Sequence, residues 1–117
     1  MTREEVRNKD FKLFQEEFEK WQERFGLTGY KVYFKYEPLD DSFASISVNQ
    51  EGMIATVTLN SLDRKNPLKE IKRSAKHEAL HLLLARLERR AKSRFANEDE
   101  IYELVEELTN KLECLIE

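Results

Sequence analysis

The sequence has few cysteines, histidines, prolines and glycines. Its 117 residues include one cysteine, two histidines, two prolines and three glycines. A single cysteine excludes an internal disulfide and leaves His, Asp and Glu as the side chains available for a metal site. No apolar run approaches the roughly 20 residues of a bilayer span. The first ten residues, MTREEVRNKD, lack the apolar segment of a signal peptide, so we expect a cytoplasmic protein with no membrane partner.

The charged residues are distributed unevenly although the net charge is only −3. Eleven of the twenty basic residues lie between Arg64 and Arg94, whereas Phe95 to Glu117 holds eight acids and one lysine. Two helices with complementary charged faces explain this pattern best, and a basic face that binds nucleic acid is the alternative. The length and the 40% hydrophobic content predict a single domain covering residues 1–117.

The first half of the chain predicts one helix followed by three strands. From Arg3 to Phe25 the apolar side chains recur at steps of three and four, which is typical of an amphipathic helix, and Gly26 ends it. Alternating or β-branched residues then predict strands at 30–36, 43–48 and 53–59. Because the turns between them are short, we expect an antiparallel meander.

The second half predicts two helices. Residues 68 to about 92 contain no Gly or Pro, and Asn66 and Pro67 are typical of an N-cap and a first helical position. A last helix begins near Glu98, with Asn97 as its cap. Its apolar stripe comprises Ile101, Leu104, Val105, Leu108, Leu112 and Leu115. The fold class that we predict is therefore α+β, with helices packed on a small sheet.

Both histidines lie in one segment, KHEALHLLLARL, inside the first of these two helices. His77-Glu78-Ala79-Leu80-His81 is an H-E-x-x-H motif. Helix positions four apart differ by about 40° around the axis, so both imidazoles project from one face and can bind one metal ion. Glu78 lies about 100° from His77, where it can act on a water as a general base. The alternative is an ordinary helix in which Glu78 pairs with a Lys or Arg one turn away.

A catalytic zinc site normally has three protein ligands and a water. The two histidines supply two of the three, so a third protein ligand is needed. We expect it to be a carboxylate from the acid-rich last helix. Spacing does not choose among the candidates, which are Glu98, Asp99, Glu100, Glu103, Glu106 and Glu107.

The segments SAKHEALHLLLARL and RFANEDEIYELVEELTNKLE resemble a family of small metallopeptidases encoded by phages and prophages. That family belongs to the minimal zincin group, which includes the SprT-like and ImmA/IrrE-like proteins. Trp21, the FGL turn at 25–27 and the leucines at 82–84 extend the resemblance over nearly the whole chain. It implies a minimal zincin-like domain in a bacterial host cytoplasm. Such a domain binds one Zn²⁺ per chain and hydrolyses a peptide bond of a protein substrate, with Glu78 activating the water held on the zinc.

The resemblance also implies a third ligand and its supporting residues. Zincins with a glutamate ligand often carry E-x-x-[small]-[Asp/Asn], whose last residue steadies a metal-bound histidine, and residues 106–110 fit that pattern. It thus implies Glu106 as the ligand, with Glu103 second, and Asn110 behind a histidine. Tyr102 or Arg94 would stabilise the oxyanion. An extended substrate would pair with the strand at 53–59.

Two other functions fit the sequence. A zinc-containing but non-catalytic module could contact DNA or a regulatory protein through a basic helix face. That face comprises Lys69, Lys72, Arg73, Lys76, Arg86, Arg89 and Arg90. A stripe of leucines at 80, 83, 84 and 87 could instead join copies of the chain, although a core of this size needs those leucines itself. The sequence does not predict the oligomeric state.

Overall fold

A computed structural model of the chain describes residues 2–62, 68–94 and 98–115. Its elements in chain order are α1 (Arg3–Arg24), β1 (Lys31–Glu37), β2 (Ala44–Asn49), β3 (Ile54–Asn60), α2 (Leu68–Arg94) and α3 (Glu98–Leu115). The predicted α+β class and the order of the elements are confirmed. The predicted caps at Asn66, Pro67 and Asn97 lie outside the described residues. None of the helices in the described ranges has the length and apolar character to cross a membrane.

The first helix has a clear signal at each end. The Thr2 hydroxyl accepts a hydrogen bond from the Glu5 backbone N–H at 3.1 Å, which satisfies one of the free donors of the first turn. At the other end Gly26 adopts a φ of 71°, a left-handed conformation that glycine reaches without strain. The Leu27 and Gly26 N–H groups then bond back to the carbonyls of residues 22 and 23, which closes the helix with a Schellman motif.

The sheet is mixed, so the predicted antiparallel meander is wrong. Its strand order is β1-β3-β2, with β3 parallel to β1 and antiparallel to β2. β3 is the most deeply buried of the three strands, which is what the central position of a sheet requires. The prediction that a substrate pairs with residues 53–59 is wrong for the same reason. β3 is paired on both sides, whereas β2 is an edge strand.

Asn60 explains how the chain skips a strand position between β1 and β2. The connection at residues 38–43 crosses the end of β3, and the buried Asn60 side chain bonds to it at both ends. Its amide nitrogen donates to the carbonyls of Leu39 and Ser42 at 2.9 and 2.8 Å, and its oxygen accepts from the Leu39 N–H at 3.0 Å. To pass from β1 to β2 on the far side of β3, the connection must span two strand spacings of about 4.8 Å each, and six residues are long enough for that. The length of the connection is therefore compatible both with a hairpin and with a crossing over β3.

The main core lies between α1, the inner face of the sheet and α2. Phe14 and Phe18 of α1 are fully buried and meet the Phe34 ring of β1 edge-on, with ring centroids 6.5 and 5.5 Å apart. α2 contributes Ile71, Ala75, Ala79 and Leu82 to the same cluster. On its other sides α2 contacts β2 and α3. The long helix is thus fixed by the core on one side and faces a cleft on another.

Candidate metal centre

An open cleft of about 1240 Å³ lies between β2, α2 and α3. β2 and the turn after it form one wall, a face of α2 forms the floor, and one side of α3 forms the other wall. His77, Glu78 and His81 all line the floor. The H-E-x-x-H segment therefore reaches solvent through this cleft, while the opposite side of α2 belongs to the core.

Three ligand atoms from α2 and α3 converge in the cleft. The Glu106 carboxylate approaches both imidazoles, with Oε1 3.5 Å from Nε2 of His77 and Oε2 2.7 Å from Nε2 of His81. One donor atom from each of the three side chains lies within 4.8 Å of the other two, and together they form a group able to hold a metal ion. The i, i+4 spacing accounts for the histidines, and the packing of α3 on α2 supplies the glutamate.

The donor set could hold a metal ion, because one donor atom of each side chain lies within 4.8 Å of the other two. The Glu106 carboxylate is half-buried and presents one oxygen to each imidazole, which places a negative charge at the point where the two histidines meet. A carboxylate beside two imidazole nitrogens favours a bound cation. Two imidazoles and one carboxylate are also the ligand types of catalytic zinc sites.

Glu78 lies beside this group, and its carboxyl is buried. It is only 6% exposed, and burial raises its pKa to about 7. The carboxylates of Glu106 and Glu113 add to the rise, while His77 opposes it. No hydrogen bond or ion pair joins Glu78 to a residue that the structure describes. A carboxyl that titrates near neutrality and has no fixed partner is suited to take up and return a proton.

Burial also affects the protonation of His81. It lowers the pKa of the His81 imidazole below its ordinary value, and the neighbouring Glu106 carboxylate partly opposes that effect. A lowered pKa favours the neutral ring at physiological pH, and the neutral ring is the form that binds a metal.

A carboxylate that was not predicted stands behind His77. Glu113 is 5% exposed, and its Oε2 atom pairs with Nδ1 of His77. Its Oε1 atom accepts a hydrogen bond of 2.6 Å from Nε of Arg73. The sequence assigned this supporting role to Asn110, but Asn110 is exposed on the cleft wall. Glu113 follows Glu106 by seven residues, about two helical turns, and this spacing is the sequence signal for a shared face.

The other predicted site residues lie in different places. Glu103 is exposed and is not part of the converging group, whereas Glu106 is. Tyr102 precedes Glu106 by one turn, lines the cleft and is 56% exposed. The side chain of Arg94 lies outside the described residues.

The basic helix face is divided between two sides of α2. Arg73 and Arg89 line the cleft, where they pair with Glu113 and Glu51. Lys72 and Lys76 point toward α1, with Lys72 3.9 Å from Glu17 and Lys76 over the Trp21 ring. These four side chains therefore lie on two sides of α2 and not on one basic surface. The side chains of Lys69 and Arg90 lie outside the described part.

The chain matches no model of a known protein family, and neither the curated proteins nor the solved structures contain one that is similar to it. The case for a function therefore depends on the geometry of the cleft.

Proposed function

We propose that this protein is a metal-dependent hydrolase that cleaves a peptide bond in a protein substrate, with one zinc ion per chain. The observation that carries the proposal is the convergence of His77, His81 and Glu106 beside the buried Glu78, in a cleft open to solvent. A structural zinc site is normally closed by four protein ligands, whereas three ligands facing an open cleft are typical of a catalytic site.

Each residue has a distinct part in this proposal. His77, His81 and Glu106 would hold the metal, which would supply a water of lowered pKa and polarise the substrate carbonyl. Glu78 accepts a proton from the attacking water and donates it to the leaving amine. Burial raises the pKa of this carboxyl, which makes it a stronger proton acceptor than an exposed glutamate. Tyr102 lines the same cleft one turn from Glu106, and we propose it as the donor to the developing oxyanion.

The edge of β2 is the surface on which an extended substrate would lie. β2 lines the cleft along residues 44–46 and 48–49, and among the described residues it pairs with β3 alone, so one row of its backbone groups is not used by the sheet. A peptide that pairs with this edge would pass over the two histidines. We also propose that the chain is a minimal zincin of phage or prophage origin.

Metal content is the first test. We expect about one zinc per chain in protein purified without chelator, lost in His81→Ala and Glu106→Ala but kept in Glu78→Gln. Ser74→Ala is the matched control, because Ser74 lines the same cleft but belongs to no ligand group. A wild-type chain that binds no zinc from buffered zinc solutions contradicts the proposal.

Hydrolysis needs a separate test because the substrate sequence is not known. The zinc-loaded protein would be incubated with a peptide library derived from a bacterial proteome, and new termini would be identified by mass spectrometry. We expect cleavage by the wild type and by Ser74→Ala, but not by Glu78→Gln. Tyr102→Phe should slow cleavage without releasing zinc. Identical products from the wild type and Glu78→Gln would show that the proposed base does no chemistry.

The second candidate, a zinc-containing module that binds DNA or a regulator, is not favoured by any observation here. Its basic residues point in different directions, and two of them pair with acids at the cleft. Nucleic-acid binding therefore stays a prediction. A steep salt dependence of DNA binding, lost on replacing Arg89 and Arg86, would support it.

A further inference from the structure

Behind the three converging ligand atoms, a second carboxylate links α2 to α3. Glu113 of α3 pairs through one oxygen with Nδ1 of His77 and through the other with Nε of Arg73, at 2.6 Å. Arg73 and His77 are four residues apart and lie on one face of α2. The buried carboxylate is therefore held at both oxygens by the same helix that carries the two histidines.

This contact determines which nitrogen of His77 can bind a metal. An ionised carboxylate only accepts hydrogen bonds, so with Glu113 ionised the Nδ1 atom that faces it would carry the proton. The Nε2 atom then keeps its lone pair, and it lies 3.5 Å from Glu106 within the converging group. If Nδ1 lost its acceptor, the proton could move to Nε2 and bond to Glu106 instead. That tautomer has no lone pair to offer at the metal position.

Arg73 completes the arrangement although it is largely at the surface. Its side chain is 67% exposed, whereas that of Glu113 is 4% exposed. A buried carboxylate needs more than one partner to stay in place, and a charge-assisted bond from a guanidinium is a strong one. Since its Nε bonds to Glu113, Arg73 can influence His77 by fixing that carboxylate.

We propose that Glu113 and Arg73 are a positioning pair, which holds His77 in the tautomer that leaves Nε2 free for a metal. This pair takes the role that the sequence pattern assigns to Asn110. The proposal rests on the proposed metal centre, but its central claim concerns the protonated nitrogen of His77 and can be measured without metal.

The first measurement is the tautomer of His77 in metal-free protein. The chain contains only two histidines, so a nitrogen–proton correlation spectrum of the imidazoles is simple to assign with His77→Gln. At pH 8 with EDTA we expect the Nδ1–H form in the wild type and in Asn110→Ala. In Glu113→Ala the signal should move toward the Nε2–H form. A wild-type His77 in the Nε2–H form, or a tautomer that is unchanged in Glu113→Ala, would overturn the proposal.

The second measurement is zinc affinity by competition with a chromophoric chelator. We expect Glu113→Ala to bind zinc roughly 10- to 100-fold more weakly, and Asn110→Ala within about twofold of the wild type. Glu113→Gln keeps an acceptor for Nδ1 and the shape of the side chain, so its loss should be smaller. Its circular dichroism spectrum provides a check that the fold is kept.

Arg73 is tested by a double-mutant cycle. Arg73→Ala should weaken zinc binding in the wild-type background but add no further loss to Glu113→Ala, because it acts through that carboxylate. An equal loss in both backgrounds would contradict the pair. A wild-type chain that binds no zinc contradicts the proposed function, whereas an unchanged zinc affinity in Glu113→Ala contradicts the positioning pair alone.

Discussion

The two sides of α2 differ in what they bury. Toward α1 and the sheet, the helix buries Ile71, Ala75, Ala79 and Leu82 in an apolar cluster. Toward α3 and the cleft, the buried or half-buried groups include the two imidazoles and the carboxyls of Glu78, Glu106 and Glu113 alongside apolar side chains such as Val105. Burial of apolar surface stabilises a fold, whereas burial of acids costs free energy unless they are paired. The comparison indicates that one side of the helix stabilises the fold, whereas the other buries ionisable groups at the expense of stability.

Loss of a core leucine should have the largest effect. Leu82→Ala removes a side chain that is 1% exposed, and we expect the free energy of unfolding to fall by about 2–5 kcal/mol. Leu87→Ala is the matched control on the same helix, because Leu87 is more than half exposed. Urea denaturation would compare the two variants. Equal losses would remove the distinction between a packed and an open side.

The Glu78 carboxyl should destabilise the metal-free protein as the pH rises. Its folded pKa of about 7 exceeds its ordinary value of 4.5, so both states are protonated below about pH 4.5. Between these values the unfolded chain releases the proton while the folded chain keeps it, and the free energy of unfolding falls by about 3 kcal/mol. Above pH 7 the loss persists. Glu78→Gln lacks this loss, because an amide does not ionise in this range.

Urea denaturation at pH 5 and pH 8 with EDTA checks this prediction. The advantage of Glu78→Gln over the wild type should be clearly larger at pH 8. Glu16→Gln, at an exposed glutamate of α1, is the control for removal of one negative charge. An advantage that does not change with pH would mean that burial of Glu78 has no energetic consequence.

Zinc binding should offset part of the free energy that is lost by burying ionisable groups at the cleft. At free zinc one hundred times its dissociation constant, we expect the free energy of unfolding to rise by about 2.7 kcal/mol in the wild type. His81→Ala should show no such rise, whereas Ser74→Ala should respond like the wild type. Thermal unfolding with and without zinc gives the comparison. Equal stabilisation of His81→Ala would place the zinc elsewhere.

The charged rim of the cleft should matter least. Arg89 Nη2 lies 2.8 Å from Oε1 of Glu51, but both side chains are more than half exposed. Exposed ion pairs contribute little, so Glu51→Gln should change the free energy of unfolding by less than about 1 kcal/mol. Added salt should reduce even that difference. A larger loss would mean that this pair fixes the wall of the cleft.

Local patterns predicted the elements but not how they pair. The helices and strands follow from side-chain periodicity and from end signals such as Gly26, which act within a few residues. The order of the sheet depends instead on Asn60, whose bonds to the connection at 38–43 span up to 21 residues. No pattern within either segment reveals that contact.

The buried face of α3 shows the same limit. The apolar stripe placed Leu108 toward the core, but Leu108 is 44% exposed, while Thr109 and Glu113 are buried. Thr109 can be buried because its hydroxyl donates to the Val105 carbonyl at 2.7 Å. Glu113 can be buried because Arg73 and His77 are its partners. Hydrophobic periodicity assumes that acids face solvent. It therefore did not predict that Glu113, which pairs with α2, is buried.

By itself the sequence determined that His77 and His81 project from one face of a helix with Glu78 beside them, because helical spacing sets the direction of side chains without reference to any other element. The approach of Glu106 to the histidines, the carboxylate behind His77 and the free edge of β2 were decided by tertiary structure. Each of these depends on how α3 is rotated against α2, or on which strand lies in the centre of the sheet. Such relations arise from packing between segments far apart in the chain, and the pattern within a single segment does not contain them.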